Sequence, residues 1–240
     1  MCTVTFLPRA DGYGVGMNRD EQRRRVPGIF PGVQSVEGSE VIGPSEPSGG
    51  RWTVSNARGT TLALLNWYGQ PGPGLSAPLS RGELVTRLAG VGALAEAEGR
   101  IGGMDLGRFR PFRLVAFFGR EQRIREWRWD GGTRTRRDLD WGPQIWASSG
   151  YDERAAQAQR GAQFKAWLDR GALEDRKGLE HFHCSHEPER GALSVCMHRK
   201  EAATVSFTLF QIESKRVTMD YWSGAPCQRE KSVQGEVLGT

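Results

Sequence analysis

The residue that offers the most chemistry stands second in the chain. Methionine ahead of a small residue is normally trimmed, which would make Cys2 the first residue of the mature protein. It then carries a thiol and a free α-amine together. The α-amine has a reference pKa of about 7.7–8.0, so a useful fraction is neutral at neutral pH. A neutral amine beside a thiol is a built-in general base, and the thiolate it releases attacks acyl carbons. A small residue at position 2 is common for unrelated reasons, so Cys2 needs support from its surroundings.

That support starts in the next twenty residues. Thr3 to Leu7 and Tyr13 to Met17 are short apolar or β-branched runs, separated by the turn formers of Pro8 to Gly12. They read as a hairpin. Its second strand runs into Asn18-Arg19-Asp20-Glu21 and brings that tetrapeptide back toward Cys2. A carboxylate there could orient the ammonium or accept its proton. A guanidinium there could favour thiolate and bind a substrate carboxylate. The competing reading is a solvated charged turn, because Arg23-Arg24-Arg25 continue the charge run.

The remaining elements form the frame. Trp52 to Asn56 and Thr61 to Trp67 read as a second hairpin turning at Ala57-Arg58-Gly59, between loops at Gly43–Gly50 and Gly69–Pro78. Ser80-Arg81-Gly82-Glu83 has the capping-box pattern, followed by an apolar face at Leu84, Val85, Leu88 and Ala89. Phe112 to Phe118, Arg123 to Trp129 and Ile145 to Ala147 read as strands, and Asp152 to Leu168 as a second helix. Gly171 to Arg190 reads as irregular. Leu193 to Met197, Thr204 to Ile212 and Arg216 to Trp222 return to strands. Strands at both ends with helices between favour one α+β domain over residues 1–240, with antiparallel sheets.

The same residues carry a family resemblance. Met1-Cys2-Thr3 followed by Asn18-Arg19-Asp20-Glu21 resembles the NRDE family, which includes the transport-and-Golgi-organisation type proteins. Trp52 to Gly59 is similar to that family's Trp-x-x-x-Asn-x-x-Gly hairpin. Ala63-Leu64-Leu65-Asn66, the Ser80-Arg81-Gly82 helix start and Pro111-Phe112-Arg113-Leu114 resemble further family segments. The family in turn resembles N-terminal nucleophile hydrolases of the choloylglycine hydrolase and penicillin acylase type. The resemblance implies a four-layer αββα sandwich and attack by Cys2 on a linear amide or acyl carbonyl through a thioester. It implies that Asp20 sits beside the nucleophile, that Asn56 helps hold the oxyanion, and that Arg199 lies in the pocket. Arg19 and Arg199 would suit an anionic group on a small-molecule substrate, with Asn18, Trp52 and Asn66 lining its site. Trp52 also reads as core, and Asn66 as a strand-end cap. Where the family carries Ser-Asn, this chain has Ser148-Ser149. The resemblance also implies an alternative, a haem or lipid carrier without turnover.

Other classes find less support. The net charge is +5, but 28 of the 33 basic residues are arginines spread along the chain among acids, which argues against a nucleic-acid partner. The longest purely apolar run, Leu114 to Phe118, is far short of a membrane span. No secretory signal opens the chain, so a cytoplasmic location is expected. The four cysteines, at 2, 184, 196 and 227, form no Cys-x-x-Cys pair, and Cys196 and Cys227 read as small buried residues. His181-Phe182-His183-Cys184-Ser185-His186 reads as a polar loop near the pocket mouth. No metal and no cofactor are expected.

Overall fold

The computed structural model describes residues 2–70, 78–228 and 232–239, so most of the Gly69–Pro78 loop lies outside the described residues. The chain runs β1 (Cys2–Arg9), β2 (Gly12–Gln22), β3 (Val33–Val36), β4 (Ser39–Ile42), β5 (Thr53–Asn56), β6 (Thr60–Asn66), α1 (Gly82–Leu88) and α2 (Leu94–Gly102). It continues through β7 (Phe112–Phe118), β8 (Arg123–Trp129), β9 (Arg134–Leu139), β10 (Gln144–Ser148), α3 (Glu153–Asp169) and α4 (Arg176–Cys184). β11 (Ala202–Glu213), β12 (Arg216–Ser223) and β13 (Ser232–Leu238) complete it. One antiparallel sheet has the order β10-β1-β2-β11-β12-β13, and the other runs β3 to β9 in sequence.

Strand alternation divides the apolar residues into three layers. Val4, Phe6, Val15 and Met17 of the first sheet meet Ala63, Leu65, Val115 and Phe117 of the second. The neighbours of those residues face outward. Leu62, Leu64, Leu114 and Ala116 pack under Leu84, Leu88 and Ile101 of α1 and α2. Leu7, Phe207 and Leu209 pack under Phe164, Trp167, Leu179 and Phe182 of α3 and α4. The layers are therefore helix, sheet, sheet, helix. Strands covered on both faces read as nearly continuous apolar runs, as Leu62 to Leu65 and Leu114 to Phe118 do.

Several local expectations change. The Ser80 capping box does not close: Ser80 Oγ accepts from Gly82 N at 3.3 Å, and Glu83 pairs with Arg87 one turn on. Residues 176–184, expected to be irregular, form α4, started by Asp175 accepting from Gly178 N at 2.7 Å. Gly16 of β2 allows that helix to approach, since a Cβ there would stand 2.5 Å from His183 Nε2. Leu193 to Met197, expected as a strand, joins no sheet. Cys196 N instead donates to Ser185 O at 3.0 Å, and Met197 N donates to Thr204 Oγ1 at 2.8 Å.

Candidate active site

Cys2 starts an interior strand. It pairs with Arg19 of β2 on one side and Ser148 of β10 on the other. Its backbone nitrogen donates to Ser148 Oγ at 3.0 Å. Cys2 is 7% exposed and lies in a cleft of about 380 Å³ with Trp52, Leu64, Asn66, Arg81 and Arg110. Burial pushes the Cys2 thiol above its usual pKa, and the Asp20 charge adds to this. The Arg19 guanidinium and the Asp20 backbone N–H pull the other way.

The alternation of β2 sends neighbouring residues to opposite faces. Tyr13, Val15 and Met17 face the second sheet, and Arg19 follows them to stack 4.4 Å from the Trp52 ring centroid. Arg19 also pairs with Glu46 at 3.1 Å and Glu21 at 3.7 Å. Its charge is thus shared with two carboxylates already. Trp52 is a member of the core between the sheets and also lines the cleft.

Asp20 faces the α3–α4 layer. Its carboxylate accepts from Thr204 Oγ1 at 2.6 Å and pairs with Arg160 of α3 at 3.2 Å. Arg160 donates further to Thr3 Oγ1 at 2.6 Å and Leu193 O at 3.2 Å. Both partners of this ion pair are buried. Asp20 therefore reaches Cys2 through its backbone N–H and its charge, with its carboxylate anchored on the far side of the strand.

Three expected site residues lie elsewhere. Asn56 is not in the cleft. Its Nδ2 donates to Ala89 O at 2.8 Å and Val91 O at 2.7 Å, and its Oδ1 accepts from Arg58 N and Thr60 N. It ties the β5–β6 turn to the α1–α2 connection, and both amide hydrogens are used. Asn18 is buried and donates to His183 O and Val195 O, each at 2.9 Å, which binds β2 to the α4 side. Arg199 lies outside the cleft, against the Tyr151 ring at 4.9 Å and beside Glu201. Asn66 does line the cleft, at the end of β6, and donates to Tyr68 Oη at 2.9 Å.

Asn56→Ala strips four backbone groups of their partner. We expect it to cost about 3–4 kcal/mol of folding stability, read by chemical denaturation, with the reactivity of Cys2 unchanged in the folded protein. Lost Cys2 reactivity at unchanged stability would return Asn56 to the chemistry.

Sequence reasoning missed Arg160, Arg81 and Arg110 as site residues, and it met Ser148 only as a departure from the family pattern. Arg160 had a signal, because it falls in the stripe formed by Ala156, Phe164 and Trp167, where an arginine needs a buried partner. Arg81 is set at the cleft by Gly82, whose backbone approaches Arg51: a Cβ there would stand 2.8 Å from Arg51 N. Burial lowers the Arg81 pKa, and its Nη1 donates to Pro111 O at 3.0 Å. Among the described residues, neither Arg81 nor Arg110 is paired with a carboxylate.

The histidine-rich hexapeptide is a helix end, not a loop. His183 is buried and bonds Thr5 Oγ1 at 2.8 Å, and burial with the nearby Arg160 charge brings its pKa down to about 3. His181 and Cys184 are on α4, whereas His186 lies past its end beside Cys196, His198 and Cys227. Cys196 is buried as expected, and Cys227 is half-buried.

No protein-family model matches the chain, and no curated protein matches it in sequence. Solved structures do share its fold. Two variants of conjugated bile acid hydrolase from Clostridium perfringens superpose with TM-scores of 0.56 and 0.59, at 12% identity, over 99% of this chain and 92% of theirs. Penicillin V acylase from Agrobacterium tumefaciens superposes with a TM-score of 0.54 at 12% identity, over 93% of this chain and 83% of that one. Among the described residues, no helix is long and apolar enough to cross a membrane. The αββα sandwich, two antiparallel sheets between helix layers, is the fold this chain shares with these hydrolase and acylase structures.

Proposed function

We propose that this chain is an N-terminal cysteine amidohydrolase of the NRDE type, acting on a small linear amide whose acyl part carries an anionic group. The observation that carries the reading is the Cys2 nitrogen held by Ser148 at the floor of a cleft that arginines line. Once the methionine is removed, that nitrogen is the α-amine. It takes the thiol proton as Sγ attacks the carbonyl carbon, and Ser148 Oγ accepts one N–H so that the lone pair faces Sγ. The amine then protonates the leaving nitrogen and the C–N bond breaks, leaving a thioester. It next deprotonates a water, which attacks the thioester, frees the carboxylic acid and restores the thiol. Asn66, not Asn56, supplies the side-chain donor for the oxyanion. Arg81 and Arg110, not Arg199, face the anionic group, and Arg19 shapes the wall and favours the thiolate.

The test uses a p-nitrophenyl monoester of a dicarboxylic acid and the matching p-nitroanilide. Asn66→Ala is expected to slow single-turnover acylation about 10²–10³-fold, or roughly 2.7–4 kcal/mol of barrier. Binding of the free diacid changes little, because the donor acts on charge that develops in the transition state. A carrier on the same fold gives the reverse: the diacid binds, no nitroaniline is released, and Asn66→Ala alters affinity alone. That outcome removes the enzyme reading.

A further inference from the structure

Away from the Cys2 cleft, four soft or borderline donors converge. His186, Cys196 and His198 come from the connection between α4 and β11, and Cys227 from the turn after β12. One ligand atom of each lies within 4.8 Å of all the others. Cys196 Sγ stands 3.5 Å from His198 Nε2, and Cys227 Sγ stands 3.4 Å from the same nitrogen. The His186 and His198 ring centroids are 5.0 Å apart. The buried Nε2 of His186 has no hydrogen-bond partner among the described residues.

These separations have a chemical meaning. With zinc–sulfur bonds of about 2.3 Å and zinc–nitrogen bonds of about 2.0–2.1 Å, the sulfur–nitrogen edge of a tetrahedron is about 3.5–3.6 Å. Both observed sulfur–nitrogen distances are within about 0.2 Å of that edge. Two thiols, two imidazoles and a three-dimensional cluster suit a closed structural site, and soft thiolates select zinc over magnesium or calcium. Two thiolates and a divalent cation also sum to zero charge, which a partly buried position tolerates. We propose that Cys196, His198, Cys227 and His186 form a tetrahedral zinc site.

The arrangement makes one demand. Zinc on His198 Nε2 places the ring proton on Nδ1, so Arg190, whose Nη2 now stands 3.2 Å from Nδ1, must release that contact. Arg190 is exposed and can do so. The site has a structural role. It clips the segment 185–198 to the turn at 226–228, and the clipped segment provides the carbonyls of Val195 to Asn18 and of Leu193 to Arg160. The spacing hides this site, because His186, Cys196-x-His198 and a distant Cys227 lack the paired Cys-x-x-Cys signature.

The test measures metal in the purified full chain by inductively coupled plasma mass spectrometry, then cobalt(II) binding after chelator treatment. About one zinc per chain is expected, together with the visible bands of tetrahedral cobalt and a thiolate-to-cobalt charge-transfer band. Cys227→Ser should cut the charge-transfer band to about half and lower the zinc content, whereas Cys184→Ser, on α4 outside the cluster, should change neither. His186→Ala, at a half-exposed position, repeats the test where a cysteine variant folds poorly. The proposal is overturned if the wild-type chain takes up neither zinc nor cobalt, if its cobalt spectrum lacks the charge-transfer band, or if peptide mapping finds a Cys196–Cys227 disulfide. It is equally overturned if Cys227→Ser and His186→Ala keep full stoichiometry and the wild-type spectrum.

Discussion

Cys2→Ala is expected to abolish acyl-enzyme formation, seen by intact mass as complete loss of the acyl adduct after the p-nitrophenyl ester is added. The more telling variant keeps the thiol and removes only the base. An extra residue placed ahead of Cys2, chosen to resist trimming, turns the α-amine into an amide. The thiol then has burial against it, which pushes its pKa up, with Arg19 and the Asp20 N–H as partial compensation. Loss of a positioned base costs about 10²–10⁴ in rate, so acylation in the blocked chain should fall by that factor. Raising the pH should recover part of it, because the thiolate of a thiol with a raised pKa accumulates only at higher pH. Wild-type protein should show by intact mass that the methionine is gone. Equal acylation of trimmed and blocked chains would eliminate the amine as base, and an adduct mapped to Cys184, Cys196 or Cys227 would eliminate Cys2 as nucleophile.

Arg160→Met should produce the largest loss of stability. The substitution takes the Arg160 guanidinium away from the buried Asp20 carboxylate, and breaking one side of a buried pair costs about 3–5 kcal/mol. Thr3 and the Leu193 carbonyl lose a donor as well. Chemical denaturation of the single variant and of the Arg160→Met/Asp20→Asn double variant separates the causes. The double variant should regain much of the loss, because the carboxylate charge is removed together with the guanidinium. A single-variant loss under about 1 kcal/mol, the range of an exposed ion pair, would mean that water reaches Asp20 and that the pair holds nothing in place.

The parts of the fold legible in the sequence are those that bury a continuous or alternating apolar pattern. Leu62 to Leu65 and Leu114 to Phe118 announce central strands, and Phe164, Trp167 and Leu168 announce α3. β9 was not legible: Arg134 to Leu139 carries almost only polar residues, and the strand holds its edge through pairs such as Arg125 with Asp138 at 2.8 Å. α4 shows only Leu179 and Phe182 as apolar anchors, and β13 hides behind a sparse pattern ending in Val237. The site divides in the same way. The register of one hairpin, set by local turn residues, is enough to bring Arg19 opposite Cys2. Asn56 and Asn66 stand on one hairpin but at its opposite ends, Asn56 at the β5–β6 turn and Asn66 at the far end of β6. Which end opens on Cys2 depends on how the two sheets stack, which no local pattern encodes. Arg160 and Ser148 come from 140 or more residues downstream, |i−j| being 140 from Asp20 and 146 from Cys2.

The two-sided pairing of β1 sets a timetable for maturation. Cys2 is closed in only when β10 and β2 flank it, and β2 is completed by β11, whose Thr204 lies opposite Asp20. Ribosomes add about 5–20 residues per second, so the strand that completes this face emerges roughly 10–40 s after the first residue. Throughout that interval the chain start is open to an aminopeptidase. Afterwards the nitrogen that must be freed is tied to Ser148 inside a sheet, and Cys2 is nearly buried. On the proposed mechanism, removal of the methionine belongs to synthesis and not to the finished protein, and a chain that closes before it is trimmed would keep Cys2 blocked for as long as it stays folded.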